Sequence, residues 1–343
     1  MTAPSPRVVV AISYFRDGSV YPRGGRPDRQ GDVYWANIAV NAATLRHVAG
    51  PGPELVVFAG DRPPAPAARV LESAGAEIRA LDFARRPPDD FYRRYVGSLY
   101  VLDTMVALAE ELDDDDVAVF VDPDVVWARA PDALVAEIRR GGVVAYDLAV
   151  PDALPMCEIS RREQGDMLTE LTGRGPDPTG DPLTHFGGEL YGLLGRDLRS
   201  ILPDLDELWA GTLRRYEAGQ PHYNVEEHFM NAVLWRRGEQ VGRANAHIQR
   251  VRTLPAPFGT RERVHPDLVA WHLPMEKDQG FLRVFRHLTA GRALPPPGPE
   301  YQRWLRQRMG VAPVGVRWAL DRARQVRWAV TGRSRGGTPN HGL

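Results

Sequence analysis

The sequence predicts an α/β protein whose central sheet is mostly parallel. Short apolar runs alternate with segments of helical periodicity through the first half of the chain, which is typical of successive βαβ units. The chain has 343 residues, of which 43% are hydrophobic, so it is long enough to bury the core of one large domain or of two smaller ones. The sequence shows no internal repeat.

The first half carries the regular elements. Strands are predicted at residues 7–13, 54–61, 76–82, 117–121 and 141–149. Helices are predicted at residues 33–48, 65–75, 95–112 and 131–138. Asp32 is expected to cap the first helix. The Gly/Arg/Pro-rich loop before it, residues 14–31, is expected to be functional.

The second half is less regular. Residues 151–184 are rich in Pro, Gly, Asp and Arg, which indicates an irregular insertion, either a substrate-facing lid or a surface loop. A short strand is predicted at residues 185–194, and helices follow at about residues 197–217 and 225–235.

Charge and cysteine content exclude several classes of protein. Lys and Arg number 43 against 44 Asp and Glu, so the net charge of −1 does not indicate a nucleic-acid partner. The single cysteine, Cys157, excludes an internal disulfide and a thiolate metal cluster, and is expected to be a small buried residue in a reducing compartment. The N-terminal stretch lacks a signal-peptide pattern, and no apolar run reaches the roughly 18 residues of a membrane span. We therefore expect a cytoplasmic protein.

The stretch from Val117 to Trp127 ends a buried strand with two carboxylates, Asp122 and Asp124. Because side chains alternate along a strand, both point the same way at the carboxyl end of a parallel strand, where open α/β sheets bind ligands. Like charges this close repel unless a cation lies between them, and two carboxylates suit Mg²⁺ or Mn²⁺ carrying a diphosphate. The alternative is a capped turn, since Asp and Pro are common turn residues.

An apolar strand ending in Asp122-Pro123-Asp124, after a βαβ half, resembles the D-x-D metal motif of the GT-A superfamily of nucleotide-sugar glycosyltransferases. The resemblance implies a GT-A fold with residues 1–290 as the catalytic domain, divided into a nucleotide-sugar-binding half (1–127) and an acceptor-side half (128–290). It implies that Asp122 and Asp124 bind a divalent metal and that Asp122 approaches the ribose. Pro123 departs from the small or β-branched residue common at this position; it stiffens the turn and removes no ligand.

Residues 185–194, HFGGELYGLL, resemble the acceptor-side strand of retaining galactosyl- and N-acetylgalactosaminyltransferases of the blood-group type. The resemblance implies that His185, Gly187, Gly188 and Glu189 face the substrate. Paired glycines would let a sugar approach the backbone closely. The alternative is a β-bulge without a ligand.

Residues 224–231, NVEEHFMN, resemble the D-E-S-x-x-N pattern of the same enzymes, with Glu226, Glu227 and Asn231 on its Asp, Glu and Asn. This implies catalysis by Glu227 with retention of anomeric configuration, and Asn231 as a sugar-hydroxyl partner on the same helix face. Glu226 would bind a hydroxyl or, in an inverting enzyme, act as general base. Asn224 and Glu227 also have capping-box spacing, so Glu227 could instead only cap a helix.

Residues 271–281, WHLPMEKDQGF, resemble the C-terminal H-x-x-G-x-x-K segment of glycogenin-like retaining enzymes. The resemblance implies that His272 completes the metal shell and that Lys277, the only lysine of the chain, holds the diphosphate. The spacing here is one residue shorter, and the intervening Gly is missing. Beside Trp271, His272 also fits a histidine of the core or of a sheet edge.

On the nucleotide side, the resemblance implies that Ser13 and Tyr14 meet the base, that Asp61 lies nearby and that Arg94 reaches the diphosphate. Each of these residues also fits an ordinary turn or surface position.

These patterns predict a glycosyltransferase that uses Mn²⁺ or Mg²⁺ and a nucleotide-diphosphate sugar, with a UDP-sugar favoured and a GDP-sugar as the alternative. The acceptor is a carbohydrate or small molecule, and no nucleic acid is expected. One rival is a sugar-phosphate nucleotidyltransferase, which would carry a compact Gly-rich basic signature after the first strand; SYFRDGSVYPRGG has glycines but lacks it. The other rival is a non-catalytic carbohydrate-binding or scaffold protein of the same fold.

The C-terminal part of the chain is predicted to be separate from the main domain. Residues 291–300 form a Pro-rich linker, and residues 301–343 form a helical tail with nine arginines and one acidic residue. Apolar residues recur at helical spacing from Val316 to Val330, which indicates a basic amphipathic helix that contacts anionic lipids at the inner face of a membrane. A terminal helix packed on the main domain is the favoured alternative.

Overall fold

A seven-stranded sheet lies at the centre of the part of the chain that the structure, a computed structural model, describes: residues 6–16, 30–151, 154–238, 241–253, 264–265 and 267–311, with 319 and 323. Its strands are β1 (Val8–Tyr14), β2 (Glu54–Ala59), β3 (Ala76–Ala80), β4 (Val117–Val121), β6 (Val143–Asp147), β7 (Phe186–Leu194) and β8 (Val241–Arg243). A small second sheet contains β5 (Val125–Trp127), β9 (Ile248–Arg250) and β10 (Ala270–His272).

Helices cover both faces of the large sheet. They are α1 (Gln30–Ala49), α2 (Ala65–Ser73), α3 (Tyr100–Glu111), α4 (Asp132–Gly141), α5 (Arg161–Thr172), α6 (Gly195–Glu217), α7 (Glu226–Arg236), α8 (Gly280–Thr289) and α9 (Pro299–Arg308). No helix in the described ranges combines the length and apolar character that crossing a membrane requires.

The strand order of the large sheet is β3-β2-β1-β4-β7-β6-β8. The first four strands are parallel, β7 runs antiparallel to both β4 and β6, and β8 is parallel to β6. The predicted α/β fold class with a mostly parallel sheet is thus confirmed. The reversal at β7 brings the start of that strand to the carboxyl end of β4, where open α/β sheets bind ligands.

Strand β4 is buried along its whole length. Alternate residues face two core layers: Ala118 and Phe120 pack on the side of α3, α6 and α7, whereas Val117, Val119 and Val121 pack on the side of α1, α2 and α4. Because both faces are covered, the strand is a continuous apolar run rather than an alternating one.

The second sheet has its own core with α8 and α9, and this core includes the first residues of the predicted tail. Tyr301, Leu305 and Met309 are fully buried there, and the Tyr301 hydroxyl donates a hydrogen bond to the Trp127 carbonyl at 2.8 Å. Helix α9 is therefore packed against the main body. The predicted apolar stripe between Val316 and Val330 lies outside the described residues, apart from positions 319 and 323.

Three local predictions are corrected. The helix predicted at 95–112 begins as a short 3-10 helix, Val96–Leu99, and α3 itself begins at Tyr100. Tyr95, just before the 3-10 helix, has a left-handed backbone with φ of 55°. Asp32 lies in the first turn of α1 rather than before it. The predicted irregular insertion contains α5, which begins with a capping box between Ser160 and Glu163.

Candidate active site

A cavity of about 230 Å³ opens at the carboxyl ends of β1 and β4. Its wall includes the end of β1, the turn after β4, Gly188 of β7, the start of α7 and the segment from His272 to Lys277. Most of the residues predicted to bind metal, diphosphate or sugar therefore share one cavity, although they come from distant parts of the sequence.

Three side chains in this wall can hold a metal ion: Asp122, Asp124 and His272. One ligand atom of each lies within 4.8 Å of the others. His272 Nε2 is 3.1 Å from Asp124 Oδ2 and 3.4 Å from Asp122 Oδ2. Two carboxylates and an imidazole are a donor set that suits Mn²⁺ better than Mg²⁺, which prefers oxygen ligands.

Strand pairing explains how residues so far apart in sequence meet. The turn at Asp122–Asp124 leads directly from β4 into β5, and β5 pairs antiparallel with β10, so that His272 lies opposite Val125. The Leu273 N–H then donates to the Asp124 carbonyl at 3.0 Å. The register of two three-residue strands therefore sets the distance between the carboxylates and the imidazole.

Glu189 orients the imidazole from behind. It is fully buried, and its Oε1 accepts a hydrogen bond from His272 Nδ1 at 3.1 Å, which leaves Nε2 facing the two carboxylates. Burial lowers the pKa of His272, but Asp124 and Glu189 outweigh it and raise this pKa to about 9. With its Nδ1–H held by Glu189, a neutral imidazole directs its Nε2 lone pair toward the two carboxylates, so the three residues fit a divalent metal ion in place of the Nε2 proton.

Lys277 adds a second cation at the same place. Its Nζ contacts Asp124 Oδ2 and lies 5.8 Å from the centroid of the Tyr34 ring. Burial alone would raise the pKa of Asp124, but the charges of Lys277 and His272 hold it below its usual range. Asp124 is therefore an ionised carboxylate shared between an ammonium and the proposed metal position.

Glu227 lies beside Gly188 and is held as a carboxylate. Its Oε1 accepts a hydrogen bond from the Gly188 N–H at 3.1 Å, and its Oε2 is 3.1 Å from His185 Nε2. Arg250 reaches it at 3.8 Å and also pairs with Glu189. Burial would raise the pKa of Glu227, but His185, Arg250 and the Gly188 N–H together lower it.

Glu226 has the opposite protonation preference. Burial, together with the charge of Glu227, raises the pKa of Glu226 above its ordinary value. Its Oε2 is buried and has no hydrogen-bond partner among the described residues. The pKa values of the two neighbouring glutamates are therefore shifted in opposite directions, which suits them to different roles.

The capping alternative for Glu227 is not realised. The residue before α7 is Val225, which makes no side-chain cap.

The start of α7 is instead held by Asn224 and His228. The Asn224 amide nitrogen donates to the Cys157 carbonyl at 2.9 Å, and the Asn224 backbone N–H donates to His228 Nδ1 at 3.1 Å. His228 Nε2 in turn donates to the Met156 carbonyl at 3.1 Å, and burial lowers the pKa of His228 to about 3. A neutral histidine thus fixes the start of α7 against the insertion.

Several residues expected to face the substrate lie behind the cavity wall instead. Glu189 is fully buried against His272 and Arg250. Asn231 is 1% exposed, with its Oδ1 accepting from the Phe186 N–H at 2.7 Å and its Nδ2 donating to Gln164 at 2.9 Å. His185 is 1% exposed and bonds Glu227. These side chains hold the residues around the cavity rather than contact its contents.

The two glycines of β7 make room for protein side chains. A Cβ on Gly187 would overlap the Glu189 carboxylate and contact Leu148, and a Cβ on Gly188 would lie 2.5 Å from Glu226 Oε1. Only Gly188 of this pair lines the cavity. The absence of a side chain therefore lets the Glu189 carboxylate lie close to Gly187 and the Glu226 carboxyl group lie close to Gly188.

On the nucleotide side, Ser13 and Tyr14 line the cavity, and the Ser13 hydroxyl is 2.9 Å from the Thr104 hydroxyl. Asp61 and Arg94 are not among its lining residues. Burial raises the pKa of Asp61, whose Oδ1 has no hydrogen-bond partner in the described part of the chain.

Other residues in or beside the cavity were missed by sequence analysis. Arg250 and Arg252 line it, and among 43 basic residues nothing in the sequence singles them out. Tyr95 also lines it, and so does Cys157, which was expected to be a buried residue and is only partly buried. Both have left-handed backbone conformations, with φ of 55° and 47°. Such strain is common at functional sites. Burial raises the pKa of the Cys157 thiol, so this cysteine is a weak nucleophile.

No protein-family model and no curated protein matches the sequence. Similar solved structures include mouse xyloside xylosyltransferase 1 (12% identity, TM-score 0.48, covering 78% of this chain and 97% of that one). The galactosyltransferase LgtC, in complex with donor and acceptor sugar analogues, has 16% identity and a TM-score of 0.45, covering 91% of this chain and 99% of that one. The bifunctional glycosyltransferase WbbM has 11% identity and a TM-score of 0.44, covering 72% of this chain and 40% of that one.

Proposed function

We propose that this protein is a metal-dependent glycosyltransferase of the GT-A type, which transfers a sugar from a nucleoside-diphosphate donor with retention of anomeric configuration. The main support for the proposal is the set of side chains that lie close to Gly188. Its N–H donates to Glu227, and a Cβ placed on it would lie 2.5 Å from Glu226 Oε1 and 3.8 Å from Asp122 Oδ1. A proposed metal ligand and both candidate catalytic carboxyl groups therefore meet around one residue of one cavity.

Asp122, Asp124 and His272 would hold a divalent metal ion, Mn²⁺ rather than Mg²⁺, at the diphosphate. When bound, such an ion supplies Lewis-acid stabilisation of the charge on the departing diphosphate. Lys277, next to Asp124, supplies a point charge for a neighbouring diphosphate oxygen. Ser13 and Tyr14, at the end of β1, extend the cavity toward the base of the nucleotide, which we propose to be uracil.

Glu227 is proposed to stabilise the positive charge that develops at the anomeric carbon, or to attack that carbon as a nucleophile. Its lowered pKa keeps it ionised, as either role requires. Glu226 has a raised pKa and remains protonated near neutral pH, so it is suited to donate a hydrogen bond to a sugar hydroxyl rather than to accept a proton. His185 and Arg250 hold Glu227 in place.

The first test is nucleotide release. The protein is incubated with a panel of UDP-sugars and with GDP-mannose, in Mn²⁺, in Mg²⁺ and in EDTA, with simple glycosides present as acceptors, and free UDP and GDP are measured. We expect at least one UDP-sugar to release UDP, with faster release in Mn²⁺ than in Mg²⁺ and none in EDTA. Release that is unchanged by EDTA, or no release from any donor, would contradict the proposal.

A further inference from the structure

Helix α1 carries three fully buried polar residues, Asn37, Asn41 and Thr44, in an otherwise largely apolar interface. Spacings of four and three residues place them on one face of the helix. Buried polar groups require partners: Asn41 and Thr44 bond to the segment that runs from β4 into β5, and Asn37 faces the segment that carries Lys277.

Asn41 bonds to the two ends of the segment that carries the carboxylates. Its Nδ2 donates to the Asp122 carbonyl at 3.0 Å, and its Oδ1 accepts from Trp127 Nε1 at 2.8 Å. The amide therefore spans the turn that leads from β4 into β5, and it fixes the backbone from which the Asp122 and Asp124 side chains project.

Asn37 lies one helical turn earlier and faces the segment that carries Lys277. With its amide nitrogen directed at the available acceptors, it donates to the Lys277 carbonyl at 3.1 Å and to the Val33 carbonyl at 3.1 Å. One turn of α1, about 5.4 Å, thus separates the amide that holds the Asp122 carbonyl from the amide that holds the Lys277 carbonyl.

We propose that Asn37 and Asn41 are positioning residues that set the separation between the carboxylates and Lys277. The inference rests on the proposed metal–diphosphate site. Neither asparagine is among the residues that line the cavity, so each acts through the backbone that it holds. A helix is a rigid spacer: a shift of the Asp122–Asp124 turn by a fraction of an ångström would change metal coordination, and a similar shift of the Lys277 backbone would change the reach of its ammonium.

Thr44 offers a matched control on the same helix face. Its hydroxyl accepts from the Trp127 N–H at 3.2 Å and donates to the Asn41 carbonyl at 2.9 Å, so it shares only the Trp127 end of the segment with Asn41 and bonds neither the Asp122 carbonyl nor the Lys277 carbonyl. Replacing Thr44 by valine removes this buried hydroxyl with almost no change in shape.

The experiment measures Mn²⁺ binding to the full chain by isothermal titration, followed by UDP binding at saturating Mn²⁺. Asn41→Leu is expected to weaken Mn²⁺ binding by about 10–100-fold, the range found for residues that orient metal ligands. Asn37→Leu is expected to keep Mn²⁺ binding and to weaken UDP binding about 10-fold. Thr44→Val is expected to match the wild type in both, and near-UV circular dichroism checks each fold. Asn41→Ser replaces Asn41→Leu if the latter does not fold.

Equal weakening by Thr44→Val and the Asn41 variant would show general loosening of α1 and overturn the proposal, as would unchanged Mn²⁺ binding in the Asn41 variant. A wild-type chain that binds no Mn²⁺ would instead refute the metal site itself. The two failures are therefore distinguishable, because the second is seen before any residue is changed.

Discussion

Replacing Asp124 by asparagine is expected to abolish Mn²⁺-dependent turnover and to weaken Mn²⁺ binding by at least about 100-fold. Asp124 is 2% exposed, and its Oδ2 bonds both His272 and Lys277. The amide has nearly the same shape but lacks the charge that pairs with Lys277 and that would bind the metal, so the buried ammonium loses its partner. Titration with MnCl₂ and a steady-state transfer assay measure the two losses.

Asp116 provides the matched control at the opposite end of the same strand. It is 3% exposed and accepts hydrogen bonds from the backbone N–H groups of Arg7 at 2.6 Å and Asp113 at 3.0 Å. Asp116→Asn is therefore also a loss of charge at a buried carboxylate, but it is expected to lower stability while leaving Mn²⁺ affinity intact. Normal Mn²⁺-dependent turnover in Asp124→Asn would remove the basis for a metal site here.

Glu227→Gln is expected to lower kcat by about 10²–10³-fold with little change in the KM of the donor, because it removes an interaction made mainly in the transition state. Glutamine keeps an oxygen to accept the Gly188 N–H but loses the charge that faces His185 and Arg250. Steady-state kinetics with the donor identified above provides the measurement, and circular dichroism checks the fold.

Glu226→Gln is the paired control. Because the raised pKa of Glu226 keeps it protonated, a neutral amide there is expected to cost less activity than the same change at Glu227. NMR of the product is expected to show the anomeric configuration of the donor. If Glu227→Gln transfers sugar at a near-native rate, or if the product is inverted, the assignment is wrong and Glu226 becomes the candidate general base.

The fold could be predicted where a strand is buried on both faces of the sheet, because such a strand is a continuous apolar run in the sequence. Strand β4 was predicted at its observed bounds because five apolar residues stand between acidic residues. Helix α5 was missed because its residues are mostly polar, although the Ser160 and Glu163 capping box was a visible signal. Strands β8, β9 and β10 have three residues each, too few for any periodicity, and exist because neighbouring segments pair with them.

The site could be predicted only as far as individual motifs allow. The carboxylates at the end of β4 and the His272 and Lys277 segment were found in the sequence, and the structure brings them together. The direction of the Glu189 side chain could not be predicted, because it depends on how β7 reverses beside β4. Arg250 was missed because its position comes from the register that places it opposite His272 in the pairing of β9 with β10.

Isothermal titration of the wild-type protein with UDP, with and without Mn²⁺, tests the central claim most directly. The carboxylates and His272 at one end of the cavity, with Lys277 beside them, predict that UDP binds tightly only when Mn²⁺ is present and that EDTA reverses the effect. GDP in the same titration reports on the choice of base. UDP binding of equal strength without metal, or no binding of either nucleotide with Mn²⁺, would contradict a metal-dependent nucleotide-sugar site.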